Sequence, residues 1–243
     1  MKSQGLRIPR HRPRRAYAHN APVWLFDLDN TLHDSSKSIF KVIDAKMTEA
    51  VAKSLSVNDA EANRLRTLYW KRYGATVIGL VRHHGIHAKT FLDLSHDFDP
   101  RPLVHSETGL IRKFQRLPGT KILLTNAPET YARTVLQTLG ILPFFDMIWS
   151  IDHMHLQGKI RPKPSHALMQ QIRARLGTTP SKVILVEDTL KNLKAARKTG
   201  MRTVHVYHPS TPFSASHRGR NQYVNLRVNS LGQLLTGRRP LRV

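Results

Sequence analysis

Cysteine is absent from the 243-residue sequence, which removes disulfides, thiolate metal sites and cysteine nucleophiles together. Long apolar runs are missing too. No stretch approaches the ~20 residues that a membrane helix needs, and the first residues lack the apolar segment of a secretory signal. The expectation is a soluble, cytoplasmic protein with no membrane partner. Acid is scarce and unevenly placed: 39 Lys and Arg stand against 16 Asp and Glu, a formal charge of +23. Residues 1–20 hold six basic residues and no acid, and residues 189–243 hold eleven and again none, leaving +6 for everything between. Apolar material is not scarce. It makes up 40% of the chain, with three Trp, eight Phe and six Tyr, enough for a globular core and one domain with an insertion.

The charge at the two ends has two readings. A strongly positive surface attracts polyanions, and contact with RNA or DNA is one of them. A solvated tail is the other, and it is preferred because no basic helix with interleaved aromatics and no nucleic-acid motif is present. Residues 1–21, rich in Arg, Pro and His and without periodicity, read as a disordered basic arm. Pro9 and Pro13 would break the amphipathic helix of an organelle transit peptide there. Residues 209–243 read as a basic C-terminal segment packed in part on the core.

Val23-Trp24-Leu25-Phe26 is a continuous apolar run that stops abruptly at Asp27. Runs without alternation suit strands buried on both faces, as in parallel sheets. Three more follow: Ile122-Leu123-Leu124 before Thr125, Val183-Ile184-Leu185-Val186 before Glu187-Asp188, and Thr203-Val204-His205-Val206. Helical patterns alternate with them. One opens at Pro128 and stops at Gly140, one runs from Pro164 to about Gly177, and one from Thr189 to Lys198 before Gly200. That alternation predicts a doubly wound parallel α/β sheet, residues 22–32 with 119–208, whose ligand lies at the carboxyl ends of the strands.

Residues 33–118 interrupt the alternation and read as helical. Ile39, Ile43, Met47 and Val51 recur every four residues. Asn58 and Glu61 resemble a capping box, Gly74 and Gly85 are helix stops, and Ser106 is placed to cap a last helix through Phe114. An insertion of about 85 residues is too long for a loop and reads as a smaller helical domain covering the sheet edge.

The polar residues at the strand ends carry the chemistry. Asp27 and Asp29 either converge on one divalent cation, or one attacks while the other moves protons; the plain alternative is a helix-capping loop. Lys163, stiffened by Pro162 and Pro164, suits the charge on a phosphoryl group in transfer, although a solvated lysine is the commoner case. Thr125 and Asn126, just before a helix, form an anion site or a simple cap. Asp188 is a hard oxygen ligand suited to magnesium. Glu187 reads as the holder of a basic group such as Lys163, and Asn192 as a hydrogen-bonding partner of metal-bound water. His153-x-His155 and His205-x-x-His208 lack the acidic or thiolate company of a zinc site.

Asp27-Leu28-Asp29-Asn30-Thr31, then Thr125-Asn126, Lys163-Pro164 and Glu187-Asp188, in that order, resemble the four motifs of the haloacid dehalogenase superfamily of phosphatases. The match spans residues 22–208, and residues 33–118 resemble its α-helical cap. The resemblance implies a Rossmann-like core and makes Asp27 nucleophile and Mg²⁺ ligand. It makes Asp29 the acid/base and a ligand through its carbonyl, puts Thr125 and Lys163 on the phosphate, and completes the metal shell with Asp188. Dehalogenases of this fold lack the second Asp. Asn192 departs from relatives that carry a further Asp there. Tyr69 to Thr76, Gly79 to Ile86, Leu124 to Ala127 and Val186 to Leu193 look like pyrimidine 5′-nucleotidases. The implied substrate is a nucleoside monophosphate such as UMP or CMP, with Tyr73, Thr76, Arg82 and His83 as candidates for reading the nucleoside or for plain helix packing. The competing expectations are a phosphatase for a small phosphorylated acid or sugar, and a polynucleotide-binding protein with an idle core.

Overall fold

The computed structural model describes residues 21–207 and 222–236. The basic arm, apart from Ala21, and residues 208–221 and 237–243 lie outside the described residues. The first apolar run forms β1 (Val23–Phe26). Four helices follow: α1 (Ile39–Leu55), α2 (Asp59–Tyr73), α3 (Thr76–His84) and α4 (Ala88–Ser95). Then come α5 (Leu110–Arg116), β2 (Thr120–Leu124), α6 (Glu129–Thr138) and β3 (Met147–Trp149). A short antiparallel hairpin, β4 (His155–Leu156) and β5 (Lys159–Ile160), leads to α7 (His166–Leu176). The chain continues through β6 (Val183–Glu187), α8 (Leu190–Arg197), β7 (Arg202–Val206), β8 (Leu226–Val228) and α9 (Leu231–Thr236).

Six strands form one parallel sheet in the order β3-β2-β1-β6-β7-β8. Period-two alternation splits β1 between two cores. Trp24 and Phe26 pack with α5, α6, α9 and the start of α1, while Val23 and Leu25 pack with α7 and α8. Both faces of the sheet are covered, so unbroken apolar runs are the pattern it requires. Full burial of Leu25 and Phe26 stabilises the fold by roughly 2 kcal/mol each. The chain leaves β1 towards β2 on one side and returns to β6 on the other. The order therefore reverses at β1, which opens a crevice at the carboxyl ends of β1 and β6.

The helices α1 to α4 close on a third core of their own, built from Val51, Leu65, Tyr69, Leu80 and Phe91 among others. Asn58 caps α2 by accepting the Glu61 N–H at 3.0 Å. Glu61 does not complete the box, because its carboxylate is paired with Arg64 at 2.6 Å. Gly74 (φ 81°) and Gly85 (φ 65°) end α2 and α3 in the left-handed conformation that glycine adopts without a Cβ penalty.

Three local expectations differ from the structure. The cap of α5 is Gly109, not Ser106, whose hydroxyl turns to the Glu107 carbonyl. That helix packs by Leu110 and Phe114 on the sheet, with Phe114 5.3 Å from Phe26 between ring centroids, and so does not join the core of α1 to α4. The helix expected to open at Pro164 begins at His166, with Ser165 as its cap accepting from Leu168 N–H. The short strands β3 and β8 and the helices α4 and α9 are additional to the elements expected from the sequence. No helix among the described residues is long and apolar enough to cross a membrane.

Candidate active site

The backbone N–H of Asp27 donates to the carbonyl of Val186 at 3.0 Å, so the residue after β1 still lies against β6. This sets its carboxylate beside the residues that end β6. Carboxylate oxygens of Asp27, Glu187 and Asp188 all lie within 4.8 Å of one another. Lys163 reaches between them, its Nζ 2.6 Å from Asp27 Oδ1 and 2.7 Å from Glu187 Oε2. The ammonium is 2% exposed and Glu187 is fully buried. One ammonium thus faces three carboxylates, and the balance of charge is negative.

The titration behaviour follows from that imbalance. Burial, then the charge of Glu187, holds the Asp27 carboxyl well above its usual range, with Lys163 pulling the other way. Burial and the charge of Asp27 push Asp188 up to about 6. Burial would lower Lys163, yet the charges of Asp27 and Glu187 hold it above its ordinary value. Hard carboxylate oxygens in this number, short of positive charge, fit a divalent cation with a preference for oxygen.

Lys163 is aimed by its backbone. Its N–H donates to Asn126 Oδ1 at 2.9 Å, and Asn126 Nδ2 donates to its carbonyl at 3.0 Å. The amide of Asn126, expected on the phosphate, is therefore committed at both ends to the lysine. Thr125 is buried at the end of β2, where its Oγ1 accepts the Ala127 N–H at 3.0 Å and keeps its own proton to give. Glu187 Oε1 accepts the Thr189 N–H at 3.1 Å. Asp188 accepts from the Thr189 hydroxyl at 3.2 Å, and Asn192 is buried one turn further on in α8.

Asp29 faces a different set of partners. Its Oδ1 accepts from Tyr131 Oη and Ser35 Oγ, both at 2.8 Å, and from His33 Nε2 at 3.1 Å. Burial raises its pKa, but these hydrogen bonds outweigh burial and hold the carboxyl below its ordinary value. His33, Ser35 and Tyr131 were not singled out in the sequence. The first two carried a weak local signal, a polar pair just after the Asp motif. Tyr131, 102 residues away, carried none.

His205 was also missed in its actual position. It is buried, its Nδ1 accepts from Arg227 Nε at 3.1 Å, and its Nε2 donates to the Asp188 carbonyl at 3.0 Å. An arginine on Nδ1 fixes the tautomer, because guanidinium has only donors. His153 pairs with Glu129 at 3.3 Å and with Ser150. Among the described residues neither histidine belongs to a metal-capable cluster, and His208 lies outside them.

In the helical layer, Tyr73 Oη and His83 Nε2 are 2.7 Å apart, and the Arg82 guanidinium sits 5.0 Å from the Tyr73 ring centroid. Thr76 is turned inward, its hydroxyl donating to the Arg66 carbonyl at 3.1 Å. Gly74, directly after Tyr73, approaches the Lys163–Pro164 backbone: a Cβ built on it would lie 2.6 Å from Pro164 Cδ and 3.2 Å from the Lys163 carbonyl oxygen.

The parallel α/β sheet thus carries acidic residues at the ends of β1 and β6 with a buried lysine between them. Residues 24–206 match the model of the haloacid dehalogenase-like hydrolases, and the chain belongs to that family. It is 24% identical over 225 residues to Phosphate metabolism protein 8 of Saccharomyces cerevisiae, covering 83% of this chain and 68% of the other. It is 27% identical over 187 residues to the phosphoglycolate phosphatase of Yersinia pseudotuberculosis, covering 72% and 76%. Among solved structures, the HAD phosphatase from Thermococcus onnurineus superposes with a TM-score of 0.55 at 21% identity, covering 88% and 95%. The L-2-haloacid dehalogenase from Xanthobacter autotrophicus superposes with 0.53 at 16%, covering 88% and 97%. At these identities the two structures speak for the fold alone.

Proposed function

We propose that this chain is a magnesium-dependent phosphomonoesterase acting through an aspartyl-phosphate on Asp27, with a pyrimidine nucleoside 5′-monophosphate such as UMP or CMP as substrate. The observation that carries the reaction is the buried Lys163 between Asp27 and Glu187, with Asp188 alongside. A carboxylate oxygen of Asp27 attacks phosphorus while the ammonium and the Thr125 hydroxyl hold the phosphoryl oxygens. Asp27, Asp188 and the Asp29 carbonyl would hold Mg²⁺, whose charge screens the incoming phosphate from the carboxylates. Asp29 protonates the leaving oxygen and then takes a proton from the water that cleaves the aspartyl-phosphate. Its lowered pKa suits the second task; a phosphate dianion arriving beside it raises that pKa for the first.

The pyrimidine reading is supported by Tyr73, Arg82 and His83, which cluster beside the turn where Gly74 meets the Lys163–Pro164 backbone. A tyrosine ring stacks on a base, and arginine and histidine donate to its carbonyl oxygens. Similarity to a phosphoglycolate phosphatase favours a second reading, a small phosphorylated acid. A panel of UMP, CMP, AMP, phosphoglycolate and p-nitrophenyl phosphate with Mg²⁺ separates the two. Preference for UMP and CMP is expected, and indifference to the base would remove the nucleotide reading. Activity surviving in Asp27→Asn would remove the mechanism.

A further inference from the structure

One oxygen of Asp29 accepts three hydrogen bonds. The other accepts none among the described residues, and the side chain is 20% exposed. The occupied oxygen is Oδ1, which has too few lone pairs for three donors and a proton of its own. A proton carried by this carboxyl therefore sits on Oδ2. His33 and Ser35 belong to the same loop as Asp29, four and six residues on, and move with it. Tyr131 does not. It projects from α6, buried in the sheet's core, and ties the loop to a separate element. Its hydroxyl donates to Asp29 Oδ1 at 2.8 Å.

Tyr131 is itself held from the helical layer. His96, directly after α4, meets its ring edge-on with centroids 5.3 Å apart, and Phe98 lies 6.1 Å away. A line of contact thus runs from the end of α4 through Tyr131 to Asp29. None of these three aromatic residues belongs to the groups that bind the phosphate.

We propose that Tyr131 is the positioning residue that aims Asp29 Oδ2 at the leaving oxygen, and that His96 and Phe98 make this aim depend on the seating of the helical layer. The proposal rests on the phosphatase reading above. As the bond from Asp27 to phosphorus forms and the ester P–O bond breaks, the proton on Oδ2 passes to the departing alkoxide. When water then attacks the aspartyl-phosphate, its proton returns to Oδ2 and Asp27 is released. Tyr131 keeps its proton throughout.

Leaving groups distinguish aim from general damage. An alkyl ester leaves as a strong base and needs the proton; p-nitrophenolate leaves without it. The value of kcat/KM reports only the steps up to departure of that group. Tyr131→Phe preserves the ring contacts and removes one hydroxyl. It is expected to lower kcat/KM about 10-fold for the best alkyl ester of the panel, within the range of general acid catalysis, and to change it less than about 2-fold for p-nitrophenyl phosphate. Asp29→Asn should show the same asymmetry, larger. His96→Leu, which leaves all three donors in place, should show it smaller. Equal losses on both substrates, or none on either, in Tyr131→Phe would overturn the proposal. If that variant does not fold, His96→Leu decides by the same comparison. Asp27→Asn, expected to be inactive on both substrates, reports separately on the phosphatase reading.

Discussion

The ammonium of Lys163 lies 2.6 Å from Asp27 Oδ1, across 136 residues of sequence, in a space from which water is almost wholly excluded. It lies as close, 2.7 Å, to Glu187. The lysine therefore does two jobs. It holds two like charges together in the resting protein, and it presents positive charge to a phosphoryl group.

Lys163→Met tests both jobs at once. Leaving buried carboxylates without their cation costs about 3 kcal/mol at neutral pH, read as a lower urea midpoint. The loss should shrink at pH 5, where the acids protonate. Hydrolysis of p-nitrophenyl phosphate should fall at least about 100-fold, the scale of removing a transition-state donor. Lys163→Arg should not restore it, since a planar guanidinium is not a substitute for a compact ammonium in this space.

Asn126 is expected to act through Lys163. Asn126→Leu removes both hydrogen bonds to the lysine backbone, at about 1 kcal/mol each. Misaiming the ammonium should lower kcat about 10-fold with KM little changed, because a small misplacement weakens transition-state contacts more than binding. A rise in KM alone would show that the amide binds phosphate directly.

Asp188 gives the metal-free protein a pH dependence of known sign. Its folded pKa, about 6, lies above that of the unfolded chain, so the native state binds more protons between the two values. Its contribution to stability is full below the unfolded pKa and is lost as pH rises through about 6. Mg²⁺ should therefore raise the melting temperature of EDTA-treated protein more at pH 7.5 than at pH 5. In Asp188→Asn that difference should shrink, leaving the part owed to Asp27.

Gly74 and Gly85 form a matched pair for the seating of the helical layer. Both have positive φ, but a Cβ on Gly74 meets Pro164 while one on Gly85 meets nothing within 4 Å. Ala at either position costs about 1 kcal/mol in backbone strain. Only Gly74→Ala should also raise KM across the substrate panel, by pushing the α2–α3 turn off the Lys163–Pro164 backbone. Equal kinetics in the two variants would separate the α2–α3 turn from the substrate.

Much of this architecture was legible locally. An apolar run of four residues ending in Asp, as at Val23–Phe26, marks a strand buried on both faces and the edge of its burial. Asn58, Gly74 and Gly85 announced helix ends through requirements of the backbone itself. Met147–Trp149 and Leu226–Val228 were not legible, since three residues hold too little periodicity to be told from loop. The start of α7 was misplaced at Pro164 because proline also stands just before a cap such as Ser165.

By itself the sequence determined where the core strands run and which polar residues stand at their ends, because both depend on neighbours within a few positions. The tertiary structure alone decided which atoms meet. It gave the Asn126 amide to Lys163, His205 to the Asp188 carbonyl, and Tyr131 to Asp29. Those pairings follow from the order of strands about β1 and from how far each crossover carries the chain, and no local pattern of residues encodes either.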